Sequence, residues 1–143
     1  MDINNYVLSL AALTAWREEA SNGLNGCLGV LFVIRNRAKA NWELGDWFRI
    51  ITAKNQFDSI IRIGDPGTVR YPDPEDLIFS KLVTYLDGIY SGQIEDTLTQ
   101  GALWYADIGS PGFTRGGWFD RNILQKSDEH PRIAVIGTTT YFK

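Results

Sequence analysis

The sequence predicts an α+β domain that is mainly helical, with short strands late in the chain. Apolar residues recur at helical spacing through much of the first 90 residues. Residues 133–142 are instead β-branched and aromatic around a central Gly137. No repeat, low-complexity tract or linker interrupts the chain, and 143 residues fit one domain spanning 1–143.

The first predicted helix starts near the beginning of the chain. Asp2 or Asn4 can cap its first turn, because short polar side chains accept hydrogen bonds from the free amides there. Its apolar residues Tyr6, Leu10 and Leu13 recur at helical spacing. We therefore expect these three side chains to face the core.

The second predicted helix runs from Cys27 to about Lys39. Asn22-Gly23 and Asn25-Gly26 precede it, and both pairs tolerate the positive φ of a turn. The helix is apolar almost all round, which is typical of a helix at the centre of a domain. Arg37 in its last turn is interpreted as a cation facing the helix dipole, with pairing to a carboxylate as the alternative.

A short amphipathic helix is predicted from Trp42 to Ala53, with Asp46 as a candidate cap. Its inward residues would be Trp47, Phe48, Ile50 and Ile51. The Gly- and Pro-rich stretch from Ile63 to Pro74 predicts a surface loop. A well-patterned helix follows, with Asp73 as its expected cap, and it ends near Ser91-Gly92.

The last predicted elements are strands. Ala102 to Ala106 is typical of a short strand, in which Trp104 and Tyr105 should face opposite sides. Residues 109–117 are expected to form a flexible loop. Ile133 to Phe142, with Gly137 in the middle, predicts a hairpin or a bulged strand.

Composition excludes several classes of function. A net charge of −3 argues against nucleic acid as a partner, since nucleic acids are usually bound by a basic face. One His and one Cys leave no metal-binding set, and we expect no metal and no cofactor. Cys27 is interpreted as a small buried hydrophobe. We expect a monomer.

The chain start predicts a helix of the mature domain. It has no basic segment and no small-residue cleavage site, so it does not have the pattern of a signal peptide. No run reaches the roughly 18 apolar residues of a membrane span, and we expect no membrane contact. The protein is therefore expected to be made in the cytoplasm without a signal peptide.

Glu18 and Glu19 stand where the first helix meets the turn. A carboxylate at the end of a packed helix can be partly desolvated without being sealed off, which raises its pKa towards that of a general acid. On this pattern alone, two solvated charges at an ordinary helix end are the simpler interpretation.

The stretch 16–37 resembles the catalytic core of the bacterial cell-wall hydrolases that include the spore cortex-lytic enzymes. That family typically reads W-x-E-A-x-G-E, then G-x-x-A-V-A-x-V-I-x-N-R. The ungapped matches are Trp16, Arg17, Glu18, Gly26, Val30, Val33, Ile34, Asn36 and Arg37. Later family motifs are matched by Gln56-Phe57, by Gly101, Ala102 and Tyr105, by Trp118, and loosely by Ile136, Gly137 and Phe142.

The resemblance implies a lysozyme-like fold with Glu18 as the catalytic acid. The departures from the family pattern are Glu19 in place of Ala, Asn22 or Gly23 in place of a second acidic residue, and Ala106 and Thr139 in place of late His residues. The missing His residues argue against a mechanism that needs an imidazole. The residues expected to bind substrate are Glu19, Gln56, Phe57, Trp104, Tyr105 and Trp118.

Glycosidic cleavage needs an acid for the leaving oxygen and a group that handles the oxocarbenium-like charge. Asp58 and Asp107 are candidates for the second role only through their neighbours in sequence. The related lytic transglycosylases need one Glu, because the sugar's own 6-hydroxyl closes an anhydro ring. Trp104, Tyr105, Phe113 and Trp118 suit an aromatic wall for sugar rings.

The function implied is cleavage of the glycan strands of peptidoglycan by a lytic transglycosylase or muramidase-type glycosidase. With no export signal expected, the protein would reach the cell wall as a phage endolysin does, after release by a separate membrane pore. The alternative is a glycan-binding or virion structural module on the same fold that has lost catalysis. Glu19 and the missing His residues favour that alternative.

Overall fold

The structure is a computed structural model that describes residues 3–61 and 70–143. The α-helices are α1 (Ile3–Glu19), α2 (Gly23–Lys39), α3 (Trp47–Thr52), α4 (Asp58–Ile61) and α5 (Leu77–Ser91). The strands are β1 (Trp104–Ala106), β2 (Arg132–Ile136) and β3 (Thr139–Phe142). The three strands form one antiparallel sheet in the order β1-β3-β2. The prediction of a mainly helical α+β fold with late strands is confirmed.

The α2 helix forms the centre of the core, as its apolar composition predicts. Every residue from Gly26 to Arg37 is buried, and α1, α3, α5 and the sheet surround it. The helix begins at Gly23, however, and not at Cys27. The Asn25-Gly26 pair therefore lies inside the helix and not in a turn. Gly26 packs closely against Asn22, since a Cβ at position 26 would lie 2.7 Å from the Asn22 Cβ.

The buried face of α1 differs from the predicted one. It is made mainly of small residues, Ala11, Ala12, Thr14 and Ala15, whereas Tyr6 is 51% exposed. Small side chains let two helix backbones approach closely, and α1 packs against α2. Asp2, one of the two candidate caps, lies outside the described residues.

Asp side chains cap the first turns of α3 and α5, at or near the positions that the sequence predicts. Asp46 caps α3 as predicted, and its Oδ1 accepts a hydrogen bond from the Arg49 amide (3.2 Å). Phe48 on that helix is 40% exposed, so its predicted inward orientation is wrong. The cap of α5 is Asp76, which accepts from the Phe79 amide (2.8 Å), and not Asp73. The predicted loop lies largely outside the described residues, at 62–69.

The sheet covers one side of α2. Gly137 has φ +59° in the turn between β2 and β3, which confirms the predicted hairpin. Central strand β3 is buried along its whole length, and it pairs Tyr105 of β1 with Tyr141. The Tyr141 ring sits over Gly29 of α2, where an added Cβ would lie 2.9 Å from the ring atom Cζ.

Candidate active site

A cavity of about 750 Å³ opens where the C-terminal ends of α1 and α2 meet β1. The segment between α3 and α4 closes a further side of it. Its lining residues are Glu18, Arg37, Lys54, Asn55, Gln56, Phe57, Trp104, Tyr105, Trp118 and Phe119. The fold therefore gathers into one space residues that are up to a hundred positions apart in sequence.

Glu18 reaches the cavity from the last turn of α1. The Tyr105 hydroxyl donates a hydrogen bond to its Oε1 (3.3 Å). Burial raises the pKa of Glu18 from 4.5 to about 7, and the negative charges of Glu19 and Asp58 add to this effect. The hydrogen bond from Tyr105 opposes it, because it stabilises the ionised form. At neutral pH the Glu18 carboxyl is thus divided between its protonated and ionised forms, as a general acid requires.

Glu19 does not line the cavity, in contrast to its predicted role in substrate binding. Successive residues on a helix point about 100° apart, so when Glu18 faces the cavity its neighbour faces elsewhere. The Glu19 carboxylate is buried against the hairpin, where it accepts hydrogen bonds from Thr139 Oγ1 (2.7 Å) and Asn22 Nδ2 (2.6 Å). Its role in the structure is to hold β3 against the α1–α2 turn.

Arg37 lines the cavity, although sequence reasoning assigned it no role in the site. Its side chain is only 4% exposed, its Nε donates to the Leu103 carbonyl (2.8 Å) and its Nη1 donates to Gln56 Oε1 (3.2 Å). The guanidinium carbon lies 4.7 to 5.5 Å from the ring centres of Trp42, Phe57 and Trp104. Burial lowers the pKa of Arg37 to about 10, so it is charged at neutral pH. Its place at the end of the family-like motif was the one signal for it.

Trp104 and Trp118 form an aromatic wall of the cavity. Their ring centres are 5.4 Å apart, and Trp42 packs edge-on against Trp104 at 5.0 Å. Trp118 is 56% exposed, so part of its side chain is open to a ligand. Trp104 and Tyr105 both line the cavity, and Tyr105 also packs against the core.

Three other predicted residues differ in their relation to the cavity. Phe57 is 1% exposed and forms the floor of the cavity, and Gln56 beside it is oriented by its hydrogen bond from Arg37. Phe113 does not line the cavity; its ring contacts Phe119, with ring centres 6.3 Å apart.

The candidate second carboxylates lie outside the cavity. Neither Asp58 nor Asp107 is among its lining residues, although Asp58 is near enough to raise the pKa of Glu18. Within the described parts of the chain, Glu18 is the sole carboxylate that lines this space. Chemistry here would have to proceed with one carboxyl group.

No family model matches this chain, and no curated protein and no solved structure matches it either. In the ranges 3–61 and 70–143, no three His, Cys, Asp or Glu side chains are grouped so that they could hold a metal ion. Over the same ranges, the helices are too short or too polar to cross a bilayer. The resemblance to cell-wall hydrolases is thus a hypothesis that rests on the motif residues and on the geometry of this cavity.

Proposed function

We propose that this protein is a lysozyme-like glycosidase that cleaves the glycan strands of peptidoglycan, with Glu18 as its proton donor. The observation that carries the proposal is the position of Glu18: a half-buried carboxyl that faces a 750 Å³ cavity and has a tryptophan wall beside it. Sugar rings stack their apolar faces on such rings, and the side-chain amides of Asn55 and Gln56 suit their polar edges.

The single carboxylate favours a lytic transglycosylase over a hydrolase. Glu18 would give its proton to the glycosidic oxygen as the bond from that oxygen to C1 breaks. The 6-hydroxyl oxygen of the same sugar would then bond to C1 and return its proton to the Glu18 carboxylate. This sequence yields a 1,6-anhydro sugar and regenerates the acid without a second carboxylate.

The test is lysis of purified wall by Glu18→Gln, which keeps the shape of the side chain but cannot donate an acidic proton. General acid catalysis contributes about 10²- to 10⁴-fold, so the rate of saccharide release should fall by at least that order. Glu95→Gln, an exposed carboxylate outside the cavity, is the matched control and should retain the parental rate. A Glu18→Gln protein that lyses wall as fast as the parent would refute the assignment.

Mass analysis of the released sugars separates the two mechanisms. An anhydro end is the expected product, while a reducing end would require a water-directing group. The alternative function, a binding module without catalysis, is favoured by the lack of a second carboxylate in the described cavity lining. A parent protein that binds wall and releases no saccharide would establish that alternative.

A further inference from the structure

The charges that line the cavity are unbalanced. Two cations, Arg37 and Lys54, face one carboxyl, Glu18. The lining thus carries a net positive charge whether Glu18 is ionised or protonated, although the whole protein is acidic at −3. A positive cavity in a negative protein favours a ligand that carries negative charge.

Among the described residues, the buried Arg37 guanidinium has no anionic partner. Its two protein acceptors, the Leu103 carbonyl and the Gln56 amide oxygen, are both neutral. A guanidinium has five N–H donors, so three of them find no acceptor among the described residues. Buried charges in proteins are usually paired, because removal of a charge from water is otherwise costly.

The neighbours of Arg37 also fix its orientation. The faces of Trp42 and Trp104 lie about 5 Å from the guanidinium carbon, and the Leu103 carbonyl holds Nε. A guanidinium held in this way loses little conformational entropy when it binds a planar anion with two parallel hydrogen bonds. Lys54 is exposed at the cavity wall, and its flexible ammonium can approach the same anion.

We infer that the substrate carries a carboxylate substituent, which binds to Arg37 with help from Lys54 while the sugar ring lies near Glu18. This inference rests on the proposed function for the saccharide part of the ligand. It makes Arg37 a specificity residue that distinguishes acidic from neutral sugars. Neutral glycans would leave its three free donors unpaired.

The experiment compares two sugars that differ in this substituent. N-acetylmuramic acid carries a lactyl carboxylate, and N-acetylglucosamine is the same ring without it. Titration at pH 6, followed by tryptophan fluorescence and calorimetry, should show at least tenfold tighter binding of the acid, with an affinity that falls as salt rises. Equal affinity for the two sugars would overturn the inference.

Two variants test whether Arg37 and Lys54 cause the preference for the acidic sugar. Arg37→Gln should lower the affinity for the acidic sugar by about 10- to 100-fold and leave the weak affinity for the neutral sugar unchanged. Because Arg37 is buried and that variant can fail to fold, Lys54→Gln at an exposed position is the second test. It should lower affinity for the acid alone by about two- to fivefold. Lys81→Gln, exposed on α5, is the charge-matched control. Unchanged preference for the acid in both cavity variants would contradict the inference.

Cleavage assays keep this inference separate from the proposed function. In intact wall the lactyl carboxyl is amide-linked to the stem peptide, so the substrates are glycan strands freed of peptide. After chemical amidation of their lactyl carboxylates, these strands should be cleaved at least tenfold more slowly than the same strands with free carboxylates. Cleavage of both at one rate would overturn the inference and leave the role of Glu18 intact. Preference for the acidic sugar in a protein that cleaves no wall would overturn the proposed function and support the inference.

Discussion

At the scale of single residues, Glu18 is controlled by neighbours that act in opposite directions. Burial and the charges of Glu19 and Asp58 raise its pKa, while the hydrogen bond from Tyr105 lowers it. Catalysis that needs the protonated acid should therefore decline as pH rises through about 7. The pH at the midpoint of that decline reports the pKa of the Glu18 carboxyl.

Tyr105→Phe removes a hydrogen bond that stabilises the ionised form of Glu18. The pKa of Glu18 should rise, and the alkaline decline in wall lysis should move to higher pH. Asp58→Asn should do the reverse, because it removes a negative charge that raises the same pKa. Rate profiles from pH 4 to 10 measure both shifts. If both declines move in the same direction, or neither moves, Glu18 is not the group that titrates.

At the scale of elements, the contact between α2 and β3 is close but leaves one polar atom without a partner. The Tyr141 hydroxyl is buried over Gly29 and has no hydrogen-bond acceptor or donor among the described residues. Burial of an unpaired hydroxyl costs free energy.

Tyr141→Phe should therefore leave the free energy of unfolding unchanged or raise it by up to about 1 kcal/mol, because it removes the unpaired hydroxyl. Gly29→Ala should lower it by about 1–3 kcal/mol, since the added methyl meets the Tyr141 ring. Urea unfolding followed by circular dichroism measures both. A clearly destabilised Tyr141→Phe would show that the hydroxyl has a partner after all.

At the scale of the whole molecule, the raised pKa of Glu18 makes the free energy of unfolding depend on pH. Its carboxyl binds a proton more tightly in the folded state (pKa about 7) than at its ordinary pKa of 4.5. Between pH 4.5 and about 7, the folded state therefore binds more protons than the unfolded state. The free energy of unfolding falls as pH rises through this range and is lowest above about pH 7.

Glu18→Gln should remove this loss because a neutral amide does not titrate. The variant should match the parent near pH 4.5 and exceed its free energy of unfolding by about 1–3 kcal/mol at pH 8. Urea unfolding at the two pH values measures the difference, with Glu95→Gln as the control at an exposed site. A difference that is the same at both pH values would contradict the linkage.

The features that the sequence determined by itself are those set by local chemistry. The apolar run in α2 predicted a central buried helix, Asp46 predicted the start of α3, and Gly137 predicted the hairpin turn. Each depends on a residue and its near neighbours in the chain. The position of Glu18 at the end of a helix was predictable for the same reason.

Tertiary structure alone decided which side chains meet. Glu19 faces the hairpin and not the cavity, Arg37 is buried among aromatic rings, and α1 packs through alanines. None of these follows from local pattern, because each depends on an element far away in sequence that removes water from one side chain and not from its neighbour. Arg37 is buried, with no anionic partner among the described residues, only because β1 and the 54–57 segment enclose the end of α2, and the inferred preference for an acidic sugar depends on this arrangement.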